Sequence, residues 1–412
     1  MTFKFFLSQS GTNKNIHLNL TDKQQNKAYT FRTNLRISDD DWDKEKQRPK
    51  NIYLKKYKKL NVKLDLLKKE LAEHIREKRL EKKQLHKRTL AREIKVVFNS
   101  QISNLPENSF LYYMKWYIDI KKELICYSTY KRYMVFFHLL ERFEGFLCKR
   151  LYVEEMNFDF IKDFMIFCKD EEYSENTIYR TIHFVKTILN FAERKGIRTC
   201  VRELEIRREK QTREIVTLAE NEIAQIQQTK VPKELQAAKD WLLISCYTGQ
   251  RFSDFMNFDK QQLQTVDGKI CLSFVQQKTK KKVLLPVHPN VLQTLERNGN
   301  VFPGLLDIQN YNNDIKEIAR LADLNVLVKA RKRFGFRSKI IEAEKWNFLS
   351  SHIGRRSFAS NFYGKIPTPL LMDATGHSTE QMFNKYINPI NKNRVLSLAS
   401  YFDKIYEGKL LE

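Results

Sequence analysis

The sequence is short of the residues that mark metal, redox and membrane proteins. Its six cysteines (Cys126, Cys148, Cys168, Cys200, Cys246, Cys271) stand singly with no C-x-x-C pair, which excludes a zinc ribbon or a dithiol redox centre. Each reads as a reduced structural thiol. No run approaches the roughly 18 apolar residues of a membrane span, and the opening M-T-F-K-F-F-L-S-Q-S is too briefly apolar for a secretory signal. A cytoplasmic protein with no membrane partner is expected. There is no H-E-x-x-H, no glycine-rich loop closing on Lys-Ser or Lys-Thr and no metal-type carboxylate motif, so neither a metal nor a nucleotide cofactor is expected. Glycine (12) and proline (9) are scarce, and 42% of the 412 residues are hydrophobic, enough for two or three domains with buried cores rather than a disordered chain.

Positive charge is what the sequence has in excess. Seventy-four Lys and Arg against 49 Asp and Glu leave +25, which points to a polyanionic partner, nucleic acid ahead of an acidic membrane surface. The first hundred residues alone hold 26 basic and 12 acidic side chains. They read either as a DNA-binding sheet and helix or as a solvated helix face.

Residues 1 to about 36 read as three short alternating strands, Phe3 to Leu7, Ile16 to Leu20 and Tyr29 to Thr33. A long helix follows, with Leu60, Leu64, Leu67, Leu71 and Ile75 at three- and four-residue intervals. From about residue 106 an aromatic-rich unit begins. Ser128 is the expected N-cap of a helix to about Glu144, and Ser174 or Asn176 that of a helix ended by Lys195-Gly196, with Asp159 to Cys168 helical between them. Aromatics at this spacing imply the core of a bundle of about four helices rather than a base-stacking surface. Residues 200–215 are charged and aperiodic, a linker. Beyond it come helical patterns at Thr217 to Gln227, Leu235 to Tyr247, Pro289 to Arg297 and Asn312 to Ala322, and a strand pair, Lys269 to Gln276 and Val283 to Val287, around a lysine-rich turn. Val326 to Ile341 partly alternates around Gly335 and suggests a β-hairpin; its Arg331, Lys332 and Arg333 either line a phosphate backbone or face solvent. The fold class expected is mainly α with small β-sheets (α+β), in three domains at 1–100, 106–200 and 214–406.

His352 to Tyr386 (H-I-G-R-R-S-F-A-S-N, then G-H-S-T-E-Q-M-F-N-K-Y) gathers two histidines, an arginine pair and a tyrosine, side chains suited to work on a phosphodiester. Such a reaction needs a nucleophile, cations on the non-bridging oxygens and an acid for the leaving alkoxide. Tyr386 is the candidate nucleophile. Arg251 and Arg355 are the natural clamp, because a guanidinium offers paired donors to phosphate and stays charged. Tyr401 and Tyr406 are rivals by type, but they share an apolar terminal stripe with Leu396, Phe402 and Ile405 that reads as packing. His288 reads as a helix-start residue.

The order Arg251, Lys278, His352-x-x-Arg355, His377, Tyr386 resembles the tyrosine recombinase (phage integrase-like) family, with T-G-Q-R-F-S-D over Thr248 to Asp254, Q-K-T at the strand-pair turn, and Tyr386 nine residues after His377. The start, with S-D-D-D-W-D-K-E-K-Q-R, looks most like integrases of Bacteroidetes mobile elements. Gln250 departs from the small or apolar residue commoner before the first arginine.

The resemblance implies an N-terminal arm-type DNA-binding domain, a helical core-type (SAM-like) domain and a mixed catalytic domain. Tyr386 would attack the scissile phosphate to form a 3′-phosphotyrosine, Arg251 and Arg355 would stabilise the pentacoordinate state, and Lys278 would protonate the leaving 5′-oxygen. His352 would act as base or orient the phosphate, His377 would donate a hydrogen bond to it, and Asp254 would orient the site. Lys280, Lys281 and Lys282 would reach DNA beside Lys278. The implied partner is double-stranded DNA, bound by a homotetramer on two sites with accessory DNA-bending proteins, in the nucleoid. Integration and excision of a mobile element ranks first. Resolution of chromosome dimers and a non-catalytic DNA-binding regulator are the alternatives.

Overall fold

The computed structural model describes residues 1–9, 11–22, 26–51, 54–99, 105–205, 215–334, 337–387 and 392–406. Most of the expected linker (206–214) and Gly335 lie outside them. The fold is mainly helical with small antiparallel sheets. It divides into two compact units, Met1–Glu209 with Arg333–Ser338, and Lys210–Lys332 with Lys339–Glu412.

The first unit opens with β1 (Thr2–Leu7), β2 (Asn13–Asp22) and β3 (Lys27–Ser38), an antiparallel meander in which Phe5 faces Leu18 and Leu18 faces Phe31. Alternation buries Ile16, Leu18 and Leu20 from β2 and Phe31, Leu35 and Ile37 from β3 on one face. Strands β4 (Trp42–Asp43) and β5 (Arg48–Pro49) pair, and α1 (Lys55–Leu80) and α2 (Lys87–Asn99) cover the sheet. The leucine ladder Leu60, Leu64, Leu67, Leu71 and Ile75 is the buried stripe of α1.

Helices α3 (Phe110–Lys121), α4 (Tyr127–Leu147), α5 (Phe158–Asp170) and α6 (Glu175–Glu193) enclose a second core that includes Phe110, Phe136, Phe137, Phe143 and Phe164. Tyr113, Tyr117, Tyr130 and Tyr133 pack against this core, whereas Trp116, Tyr127, Phe146 and Phe158 stay exposed. Ser174 caps α6 by accepting from the Thr177 amide. Ser128 does not cap α4. The helix starts two residues earlier, behind Cys126 as N-cap, and the Ser128 hydroxyl turns to the Cys126 sulfur at 3.3 Å. Cys126 is consequently exposed rather than structural, and hydrogen bonds from Ser128 and Thr129 bring its thiol down to about 7. The six cysteines are free.

The two cores are joined where α1 lies on α4. Lys69 Nζ donates to Glu144 Oε2 at 2.9 Å with both side chains buried, and the Leu151 amide donates to Glu144 Oε1. Arg150 reaches Glu70, and the Tyr152 hydroxyl reaches Glu73. Burial outweighs the attraction of Lys69 and pushes the Glu144 carboxyl above its usual range.

The second unit is built around α8 (Lys233–Thr248), buried without interruption from Ala238 to Cys246. Its polar members are satisfied: Lys239 donates to the Gln227 and Thr229 carbonyls, and Asp240 accepts from Arg297 and Asn298. Around it stand α7 (Glu220–Gln228), the short α9 (Phe252–Phe255), the meander β6 (Leu263–Val266), β7 (Lys269–Val275) and β8 (Lys282–Pro286), α10 (Pro289–Arg297), and α11 (Ile308–Leu321). His288 caps α10, accepting from the Asn290 amide, and stacks on Tyr247. Strands β9 (Leu327–Phe334) and β10 (Arg337–Glu344) pair with each other. Then come α12 (Ile353–Phe362), α13 (Thr368–Thr375), α14 (Glu380–Phe383) and α15 (Lys392–Tyr406).

Helix α12 crosses α8 at a glycine. A Cβ on Gly354 would lie 1.9 Å from Ser245 Oγ, so only glycine lets the helix that carries Arg355 press onto α8. The terminal stripe does not pack as expected: Leu396, Tyr401 and Phe402 of α15 are more than half exposed, and the side chains of Ile405 and Tyr406 lie outside the described residues. No described helix is long and apolar enough to cross a membrane.

Candidate active site

Arg355 is the buried centre of the site. One turn into α12 it is fully buried, and its Nη1 donates to the Gly249 carbonyl at the end of α8 (2.9 Å) while Nη2 donates to the Thr375 carbonyl at the end of α13 (2.8 Å). Nη2 also lies 3.0 Å from His377 Nε2. Its Nε is buried and makes no hydrogen bond among the described residues. Burial first, then the charge of Arg251, lower the guanidinium to about 10, while Tyr386 works the other way; it is still charged at neutral pH.

Tyr386, in the single turn after α14, places its ring 5.4 Å from the Arg355 guanidinium carbon and 5.1 Å from the His377 ring. Its carbonyl accepts from Ser360 of α12, which pins the turn. The nucleophile candidate, Arg355 and His377 are therefore mutual neighbours within one chain.

Arg251 precedes α9, with Nη1 3.1 Å from Gln276 Oε1 and 3.7 Å from Asp254 Oδ2. Asp254 is buried and accepts from the Gln277 amide at 2.8 Å, which ties α9 to the turn carrying Lys278. Lys278 itself is exposed. His352 sits at the rim before α12. It is exposed there, yet desolvation by the atoms around its ring, followed by the charges of Arg356, Arg355, Arg251 and Lys278, lowers its pKa. His377 is more enclosed; burial first, then Arg355, Arg251 and Lys281, push it down to about 3.

The basic residues around this centre are less uniform. Lys280 and Lys282 are exposed, whereas Lys281 pairs with Asp373 at 3.2 Å. Arg331, Lys332 and Arg333 lie on β9, Arg331 and Arg333 exposed and Lys332 half-buried. Among the described residues no cluster of three or more His, Cys, Asp or Glu could hold a metal.

Residues 109–199 match the model of the phage integrase SAM-like domain, and residues 208–393 that of the phage integrase family. The chain belongs to the phage integrase family. It is thereby a tyrosine recombinase, of the class that carries out site-specific DNA recombination.

The integrase fold is matched by solved structures. One is a lambda integrase (75–356) dimer bound to a COC′ core site, at 17% identity and a TM-score of 0.52, covering 66% of this chain and 93% of that one. A second is the Tn1549 transposon integrase in complex with a circular intermediate DNA, at 13% identity and 0.52, covering 71% and 99%. A longer lambda integrase dimer on a COC′ core site covers 93% of this chain and 94% of its own, at 15% identity and 0.50. At these identities the likeness is one of fold. No curated protein sequence matches the chain.

Sequence reasoning missed three members of the site. Gln276 and Thr375 hold Arg251 and Arg355 through amide and carbonyl contacts that leave no motif. Arg356 was visible as the second arginine of H-I-G-R-R, and its charge depresses His352.

Proposed function

We propose that this recombinase cuts and rejoins DNA through Tyr386, and that it integrates and excises a mobile genetic element. The observation that carries the reading is the packing of Tyr386 against Arg355 and His377 in one chain. The Tyr386 oxygen attacks the scissile phosphorus, the bond to the 5′-oxygen breaks, and that oxygen leaves with a proton from Lys278. Arg251 and Arg355 hold the non-bridging oxygens as charge grows on them, with the Arg355 Nε, which has no hydrogen bond among the described residues, as a ready donor. His352 takes the tyrosine proton or orients the phosphate, His377 supports the same phosphate, and Asp254 orients Arg251. The bond energy is kept in the 3′-phosphotyrosine, so a partner strand's 5′-hydroxyl religates with no nucleotide and no metal.

In this reading residues 1–100 bind arm-type DNA sites, 106–200 and 214–406 each bind the core site, and four copies act on two duplexes. Helix α15 docks on a neighbouring protomer, which accounts for its exposed apolar side chains. Lys280, Lys282, Arg331, Lys332 and Arg333 contact the phosphate backbone. The basic N-terminal unit favours a mobile-element integrase over a chromosome-dimer resolvase, and the full set of reacting groups speaks against a non-catalytic regulator. The test is a nicked suicide duplex built from the repeats that flank the gene. A covalent protein–DNA adduct with the wild type and none with Tyr386→Phe is expected. No adduct with the wild type on any of the flanking repeats would overturn the reading.

A further inference from the structure

Two buried glutamines sit behind the reacting groups and touch no solvent. Gln276, the first residue after β7, and Gln250, next to Arg251, are both fully buried. An uncharged amide in such a place must be hydrogen-bonded at every position to be tolerated. That condition is met. Gln276 Oε1 accepts from Arg251 Nη1 (3.1 Å) and from the Thr279 hydroxyl (2.6 Å), while its Nε2 donates to Gln250 Oε1 (3.0 Å) and to the Thr375 carbonyl (3.0 Å). Gln250 Nε2 donates in turn to the Thr248 and Ala374 carbonyls.

This bonding leaves the Gln276 amide a single orientation, because a flip would turn its NH2 onto the Arg251 guanidinium and its oxygen onto two acceptors, Gln250 Oε1 and the Thr375 carbonyl. It also spans three separate pieces of the site. Thr279 belongs to the turn that carries Lys278, and the Gln276 carbonyl and amide close that turn on Lys280 and Lys281. Ala374 and Thr375 lead directly into His377. Gly376 leaves room for the amide, since a Cβ there would lie 2.4 Å from Gln276 Oε1.

The geometry points to Gln276, backed by Gln250, as a positioning residue that couples the seating of Arg251 to that of the Lys278 turn and the His377 segment. The inference rests on the recombinase reading above. A carboxylate would not serve, because it would lose both donated bonds and neutralise the Arg251 charge meant for phosphate. Swinging the turn away breaks the Thr279 bond and leaves Oε1 held by Arg251 alone, so the best-held Arg251 and a correctly placed Lys278 occur together.

The test measures single-turnover adduct formation by the full chain on the nicked suicide duplex. A second duplex carries sulfur in place of the bridging 5′-oxygen, because a thiolate departs without a general acid. Gln276→Met and Gln276→Glu should slow cleavage of the ordinary duplex about ten- to hundredfold, with DNA affinity within about threefold of wild type, Gln276→Glu being the slower. On the sulfur duplex the deficit of Gln276→Met should shrink at least about fivefold, as that of Lys278→Ala does, leaving the share owed to Arg251. Thr279→Val, on an exposed turn that cannot unfold the core, should slow the ordinary duplex about threefold and leave the sulfur duplex at the wild-type rate. Wild-type rates in these variants, or equal losses on both duplexes, would overturn the coupling while leaving the recombinase reading intact. An inactive wild type would remove the reading itself.

Discussion

Arg355 Nη2 lies 3.0 Å from His377 Nε2, and this contact defines the tautomer of the histidine. The Thr375 hydroxyl gives its proton to the Leu371 carbonyl at 2.6 Å, so at 2.8 Å it accepts from His377 Nδ1. Nε2 therefore presents a lone pair to Arg355. His377 is thus a neutral acceptor that holds the arginine in place.

The first prediction concerns pH. Both site histidines have lowered pKa values, His377 to about 3, so each favours the folded state while neutral. An imidazole in the unfolded chain takes up its proton near 6.5. The contribution is thus complete above about pH 6.5 and is lost as pH falls towards 3. The melting temperature should fall between pH 6.5 and 5, and His377→Asn should flatten that slope. An unchanged slope in the variant would refute the assignment.

Arg355→Lys should be far from conservative. Lysine offers no planar fork to satisfy the Gly249 and Thr375 carbonyls together, and each buried carbonyl left unpaired costs about 1–3 kcal/mol. Adduct formation should fall at least about a hundredfold. The melting temperature should drop as well, unlike that of Tyr386→Phe, which keeps the ring beside Arg355.

The buried pair between α1 and α4 makes a different prediction. Lys69→Met leaves Glu144 charged and enclosed, which should destabilise the first unit by about 3–5 kcal/mol in a denaturant melt. The double variant Lys69→Met/Glu144→Met removes the isolated charge and should recover much of that loss. If the double variant is no better than the single, the pair is not the principal contact.

What could be read in the sequence followed from periodicity and order. The leucine stripe of α1 announces its buried face, and the spacing of Arg251, His352, Arg355, His377 and Tyr386 announces a site before any fold is known. The remainder depends on contacts remote in sequence. Lys69 and Glu144 are 75 residues apart and Gln276 and Thr375 are 99 apart, and both pairs consist of residue types that are ordinarily solvated. The exposure of α15 was equally hidden, because an apolar stripe looks the same whether it meets its own chain or another.

That stripe supports the last prediction. Val395, Leu396, Leu398, Tyr401 and Phe402 are all more than half exposed, a concentration of apolar side chains of the kind that marks interaction surfaces. If α15 docks on a neighbouring protomer, Leu396→Asp/Phe402→Asp should leave adduct formation on a single site within about threefold of wild type, because the face lies outside the catalytic contacts, while burying a charge in the dock prevents assembly. Sedimentation of the protein on paired core sites should then show single-site complexes where the wild type gives the synaptic assembly. Wild-type assembly by the double variant would mean that the face has another use.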